Sequence, residues 1–209
     1  MADPRFYRVS ATEMGLKCDA ADTDAKLQTQ FQTTAKNVGA VAGEEVVAAE
    51  YGDGYWHRTI LTITDLDLGE ITGGVAQAVG AKFYTLPAGA HIVKFSYSSL
   101  SLHGEAAIQG DTPDFGIGTL VGSGANATLD AVGADAENIQ TGAAKTNCAG
   151  TVDTRIVSDQ ILNILAGDSH ELFINAADNW AAGGSASLLC SGIVILDWIY
   201  LTESDFTPS

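Results

Sequence analysis

The stretch DFGIGTLVGSG (114–124) comes nearest to a chemical motif, because Gly116, Gly118 and Gly122 stand in a GxGxxxG spacing. Glycines so spaced cradle phosphates when a strand precedes them and a helix follows, since the helix N-terminus then faces the anion. Here the chain continues as SGANATLDAVGADAEN, without an amphipathic helix or a Lys-Ser/Thr pair. The DFG triplet likewise has no HRD loop to accompany it. These glycines read as strand positions where a missing side chain admits a neighbouring backbone.

The remaining candidates are weaker. Asp168, Ser169 and His170 are contiguous, whereas a nucleophile–base–orienter relay needs side chains converging from different elements. His57, His91, His103 and His170 show no metal-ligand spacing, and each is expected to be solvated or singly hydrogen-bonded. Asp65, Asp67 and Glu70 around Gly69 form a fragment of a calcium loop that lacks the distal bidentate glutamate, so at most a weak ion site is expected there. Glu44-Glu45, Asp111/Asp114 and Asp135/Glu137 are expected to be solvated charge. Cys18, Cys148 and Cys190 form no CxxC pair, and Cys190 reads as a small core residue. The expectation is a chain with no enzymatic activity, no catalytic residues, no cofactor and no resident metal.

Stepping from these residues to the chain that would carry them, 209 residues with 46% hydrophobic and 17% charged content suit one packed domain rather than a disordered segment. The net charge of −16 is unevenly placed: residues 1–36 balance five cations against five carboxylates, and the rest carries five against 21. An acidic body repels phosphate backbones, so nucleic acid is not an expected partner. The N-terminal MADPRFYRVS has no apolar core of a secretory signal, and the longest apolar run is interrupted by Asp197 and too short for a membrane span. Synthesis in a cytoplasm and no membrane partner are expected.

Residues 1–50 are polar and read as an N-terminal arm, with Leu27 and Phe31 at helical spacing behind Asp22 or Asp24 as N-cap. From Tyr51 onward, short β-prone runs alternate with glycine turns. KFYTL (82–86) and HIVKFSYSSLSL (91–102) flank a turn at Pro87–Ala90 between antiparallel strands, with a bulge expected near Ser98–Ser99. Ile193 to Leu201 is almost continuously apolar, the pattern of a strand covered on both faces, either mid-sheet or beneath a neighbouring subunit. Trp180, in the loop AADNWAAGG, is either an exposed contact anchor or a lid folded back on the body. Asp197 needs a hydrogen-bond or ion-pair partner if buried. The fold expected is all-β, a two-sheet antiparallel sandwich of jelly-roll type over 51–209, carrying the arm.

AAEYGDGYWHRTILTITDL, GAKFYTLPAGAHIV, GDTPDFGIGTLVGSGANATL, ELFINAADNW and SGIVILDWIYL together resemble a family of tailed-bacteriophage virion proteins that sit on the capsid. The resemblance covers roughly Ala48 to Leu201 and implies a jelly-roll-like head decoration or cement protein. It implies the major capsid protein and further copies of itself as partners on the outer surface of the virion, and a trimer is the first expectation for the homo-oligomer. The neutral arm could approach the shell while the acidic body faces solvent, with Phe6, Tyr7, Arg8, Leu27, Phe31 and Trp180 as contact candidates. A glycan-binding fibre tip and a shell-forming subunit are the alternatives.

Overall fold

The computed structural model describes residues 6–10, 13–16, 39–52, 56–157, 161–183 and 185–201. Met1–Thr33 and Thr34–Ser209 are separate compact units. In the first, β1 (Phe6–Ser10) and β2 (Glu13–Leu16) form an antiparallel pair with Phe6 opposite Leu16. Leu27 and Phe31 lie outside the described residues.

The second unit contains β3 (Ala40–Val41), β4 (Val46–Gly52), β5 (Trp56–Thr72), β6 (Ala76–Thr85), β7 (His91–His103), β8 (Asp114–Gly118), the one-turn helix α1 (Leu129–Val132), β9 (Gln140–Ala144), β10 (Ala149–Val157), β11 (Leu162–Ile164), β12 (Glu171–Asn179) and β13 (Ser185–Tyr200). One sheet has the order β10-β7-β13-β5-β4, with β11 continuing beside β7, and the other has β3-β6-β12-β8-β9. All the pairings are antiparallel. Leaving aside the short β3 and β11 and the edge strand β4, the other eight strands lie sixth-third-eighth-first in one sheet and second-seventh-fourth-fifth in the other. That interleaving is the jelly-roll order, so the expected all-β sandwich is what the chain forms.

Alternation in the sequence produces the core. On β5, Leu61 and Ile63 point inward, and on β13 Val194 and Leu196 do; they meet Phe83, Leu172, Ile174 and Ile117 from the facing sheet. Asp65 keeps the inward set in phase past an irregularity: it adopts φ 50°, and its Oδ1 and N–H both bond the Ser191 hydroxyl at 2.9 Å. Short polar side chains tolerate this left-handed geometry better than branched ones.

Three expectations are corrected. Pro87–Ala90 does not close a hairpin: β6 and β7 lie in different sheets, so the turn carries the chain across the sandwich. The irregularity in β7 falls at Lys94, where Asp197 opposite Phe95 is followed by Trp198 opposite Val93. Inward positions are therefore His91 and Val93, then Ser96, Ser98, Leu100 and Leu102, while Phe95 and Tyr97 turn outward. The sandwich also begins earlier than Tyr51, because β3 and β4 belong to it.

The glycine cluster is a packing device. A Cβ on Gly116 would stand 2.9 Å from the Gln140 carbonyl, and one on Gly118 would overlap the backbone of Asp135 and Ala136. Asn175, fully buried on β12, binds the loop down: its Oδ1 accepts from Gly122 N at 2.7 Å, and its Nδ2 donates to Leu120 O at 2.9 Å and Ala136 O at 2.7 Å. Removing that amide leaves one backbone N–H and two carbonyls without their partner. Asn175→Ala should lower unfolding free energy by about 3 kcal/mol in urea titration; a loss below about 1 kcal/mol would remove Asn175 from this role.

Candidate functional site on an uncovered sheet face

The residues singled out for chemistry are mostly consumed by structure. Asp168 Oδ2 accepts from Leu165 N at 2.8 Å, Ser169 Oγ accepts from Glu171 N at 3.3 Å, and His170 Nε2 lies 2.6 Å from Gly89 O, so the contiguous triplet serves three separate turns. Asp67 accepts from Gly69 N at 2.9 Å and Ser187 Oγ at 3.0 Å, and no group of three or more metal-ligating side chains is gathered among the described residues. Asp197 is clamped by Arg58 in a two-pronged ion pair at 2.7 and 2.6 Å. Cys190 and Cys148 are enclosed, and burial pushes both thiols up to about 12.

Glu137 was expected to be solvated, yet it is buried. Desolvation and a hydrogen bond with Asp130 raise its pKa, against the opposing bond from Gly142 N. Trp180 is 2% exposed and its indole N–H donates to Gln77 O at 2.8 Å, which makes it the folded-back side chain and removes it as an exposed anchor. Alternation explains this: it follows β12 directly and drops into the end of the core. Phe6, Tyr7 and Arg8 lie on β1.

The histidines depart furthest from expectation. His57 and His91 are each 1% exposed, because strand parity turns them inward beside Trp198 and Tyr200. His57 stacks on Trp198 with centroids 3.9 Å apart and planes 10° from parallel; His91 meets Trp198, Tyr200 and His170 at 5.1 to 5.3 Å. Tyr84 Oη donates to Glu50 Oε2 at 2.7 Å, Glu50 Oε1 lies 3.1 Å from His57 Nδ1, and Gly39 N donates to Tyr84 Oη at 3.0 Å. This carboxylate–imidazole chain bolts β4 and β5 to β6 of the other sheet. Clefts of about 280 and 350 Å³ lie elsewhere, one between β9 and β10 and one beside β11, and neither is lined by Glu50, His57 or His91.

The outer face of the first sheet is different in kind. Register places Ala49, Ile60, Ile195, Tyr97 and Ile156 side by side across five strands. The next row is Val47, Thr62, Ile193, Ser99 and Thr154, and the row on the other side is Tyr51, Arg58, Asp197 and Phe95. Beyond that, Trp56 stands opposite Ile199 and Ile199 opposite Ile92. Val47 at 66% exposure, Ile156 at 63%, Trp56 at 47% and Ile193 at 40% show how much of this face meets solvent. An antiparallel sheet with one free face normally alternates apolar-in with polar-out. Here β7 does the reverse in part, sending Ser96 and Ser98 inward to Ile139 O and Gln140 Oε1 while Phe95 and Tyr97 face out.

These rows are almost free of net charge. Across these rows the only carboxylate is Asp197, neutralised by Arg58, and Lys94 lies 5.0 Å above the Trp56 ring. Asp65, Asp67 and Glu70 are also outward on β5 but sit beyond the apolar rows, toward its far end. Scattered exposed apolar residues are ordinary, but a contiguous patch marks a contact surface. The signal was present in the sequence as the two-faced apolar run of β13; the outward turn of Phe95 and Tyr97 was hidden, because the shift at Lys94 has no composition cue.

Comparison of the chain with protein-family models, curated proteins and solved structures gives no match.

Burial lowers the pKa of His91 to about 4, helped by the nearby His170 and His57. An unfolded chain, titrating near 6.5, therefore binds more protons between these values. Stability carried by neutral His91 is complete above pH 6.5 and drains as pH falls toward 4, by up to about 3 kcal/mol. Carboxylate protonation works the other way over this range, since it relieves the self-repulsion of a −16 chain. Urea midpoints should fall from pH 7 to 4.5 in the wild type and fall less in His91→Phe; equal slopes would mean that His91 does not titrate this way.

Proposed function

We propose that this protein is a structural, adhesive component of a tailed-phage particle, binding the outside of the capsid and stabilising the shell by bridging capsomers. The observation that carries the reading is the apolar, nearly charge-free outer face of the β10-β7-β13-β5-β4 sheet on a chain of net charge −16. Such a face is costly to leave in water, at roughly 25 cal/mol per Å² of apolar surface, and a shell surface would cover it. Contacts that exist only on the assembled lattice favour the closed shell by mass action. The acidic remainder stays in solvent. The neutral N-terminal segment, with Phe6, Tyr7, Arg8, Leu27 and Phe31, supplies a second contact in this scheme. The segments that resemble capsid-associated virion proteins include most of this face, on β4, β5 and β13.

Co-sedimentation of the full chain with purified shells stripped of it tests the proposal. Ile193→Glu places a carboxylate on an already exposed position of the face and should weaken binding about tenfold or more with little change in melting temperature. Glu70→Gln, beyond the apolar rows, should bind as the wild type does. Wild-type binding by Ile193→Glu would contradict docking through this face, and failure of the unaltered chain to bind shells would contradict the function itself.

A further inference from the structure

The two sheets present four edges, and one of them differs from the rest. β3 is two residues long. β9 has five residues with a register shift opposite Phe115 and Ile117. β10 has a shift between Ala149 and Val152, a glycine at φ +92°, and Asp153 and Arg155 facing the cleft toward β9. These are the devices by which proteins blunt an edge against pairing with another chain. β4 is more regular: its register with β5 runs unbroken from Val46 opposite Ile63 to Gly52 opposite His57, and its one positive-φ glycine, Gly52, is its last residue. Its outward side chains are Val47, Ala49 and Tyr51, and its one charged residue, Glu50, is turned inward to His57 and Tyr84. Among the described residues its outer edge pairs with nothing.

The hydrogen-bonding phase of that edge follows from one bond. Thr64 N donates to Glu45 O at 2.8 Å, which makes Glu45 and Thr64 a directly bonded pair. Alternation then turns the N–H and C=O of Val47, Ala49 and Tyr51 toward β5, and those of Val46, Ala48, Glu50 and Gly52 toward the free edge, where Val46 N–H donates to Gly43 O at 3.4 Å.

We propose that β4 is the seam of a twofold homodimer, in which β4 of one copy pairs antiparallel with β4 of a second copy, centred on Ala49. The register is determined by the residues themselves. Opposed residues must share a face, so only even offsets are allowed. Centring on Ala49 overlaps all seven residues: Val46 meets Gly52, Ala48 exchanges bonds with Glu50, and Val47 lies against Tyr51. That last contact is a β-branched–aromatic cross-strand pair of the favourable kind. A shift that set Ala49 against Tyr51 would put Glu50 opposite Glu50, a like-charge contact. The occupant is a second copy because the outward rows beside this edge carry no unpaired carboxylate, so copies that repel elsewhere can approach there, with the exposed Glu44 and Glu45 lying just outside the seven paired residues. The pairing is isologous and closes at two. It joins two sheets into one and makes their apolar outer faces continuous. It differs from the threefold association first expected from the sequence, and it does not depend on what covers the face.

Sedimentation velocity on the full chain tests it, with engineered cysteines to read the register. The expected particle has twice the 21.7 kDa monomer mass. Ala49→Lys, at an exposed position, should weaken association at least tenfold, because it sets two ammonium groups face to face at the centre, while leaving unchanged the melting temperature read at concentrations too low for dimer to form. In a Cys18→Ser background, Ala49→Cys should form an intermolecular disulfide on mild oxidation: non-bonded antiparallel pairs place Cα atoms about 4.5 Å apart, within disulfide reach. Val47→Cys, facing Tyr51, should cross-link much more slowly. A monomer at 100 μM (about a hundredfold above a micromolar Kd), a threefold mass, undiminished association of Ala49→Lys, or faster cross-linking at Val47 would each overturn the proposal. Shell binding by a chain that proves monomeric would overturn the seam and leave the docking face standing.

Discussion

A strand with two apolar faces cannot be satisfied by one core. β13 runs through the middle of its sheet, paired to β5 on one side and β7 on the other, and alternation divides its side chains into two sets. Val194, Leu196 and Trp198 enter the sandwich and disappear from solvent, while Ile193 and Ile195 point away from it. Among the described residues of Thr34–Ser209 the sandwich has no third layer to receive the second set. Everything functional in the account follows from that unmet demand: the neighbours recruited in register, the exclusion of unpaired carboxylates from those rows, and the concentration of acid elsewhere on the chain.

The polar residues that do enter the sandwich are matched to one another. Ser98 finds Gln140, Asn175 holds three backbone groups, and Lys145 is held by Leu100 O and an ion pair with Asp153 at 3.2 Å while lying over the Phe115 ring. Glu50, His57 and Tyr84 tie the sheets together at the β4 end. Three imidazole nitrogens, His57 Nε2 and both of His91, remain without hydrogen-bond partners inside the aromatic cluster. Unpaired buried polar atoms are expensive, and the burial of His91 makes this end of the body sensitive to proton concentration.

The fold class was legible in the sequence because short β-prone runs are punctuated by turn residues, as at β5, β12 and β13. Asp197's need for a partner and the core placement of Cys190 could be read locally for the same reason. What could not be read depends on register. A single extra residue at Lys94 reverses which side of β7 faces the core, so the bulge lies there and not near Ser98–Ser99, and strand periodicity alone does not show that Phe95 and Tyr97 face outward. The burial of His57 and His91 depends on partners far along the chain, Trp198 and Tyr200, which no local window contains. Pro87–Ala90 is an evident turn, but whether it closes a hairpin or crosses the sandwich is decided by pairings formed elsewhere.

The central claim, that the outer face of the β13-containing sheet is a contact surface, is most directly tested by hydroxyl-radical footprinting of the chain free and on intact particles. The account predicts strong protection of Trp56, Phe95 and Tyr97 on the particle, with the reactivity around Asp65–Glu70 unchanged. Unaltered reactivity at those three aromatics, with protection at Asp65–Glu70 instead, would contradict it.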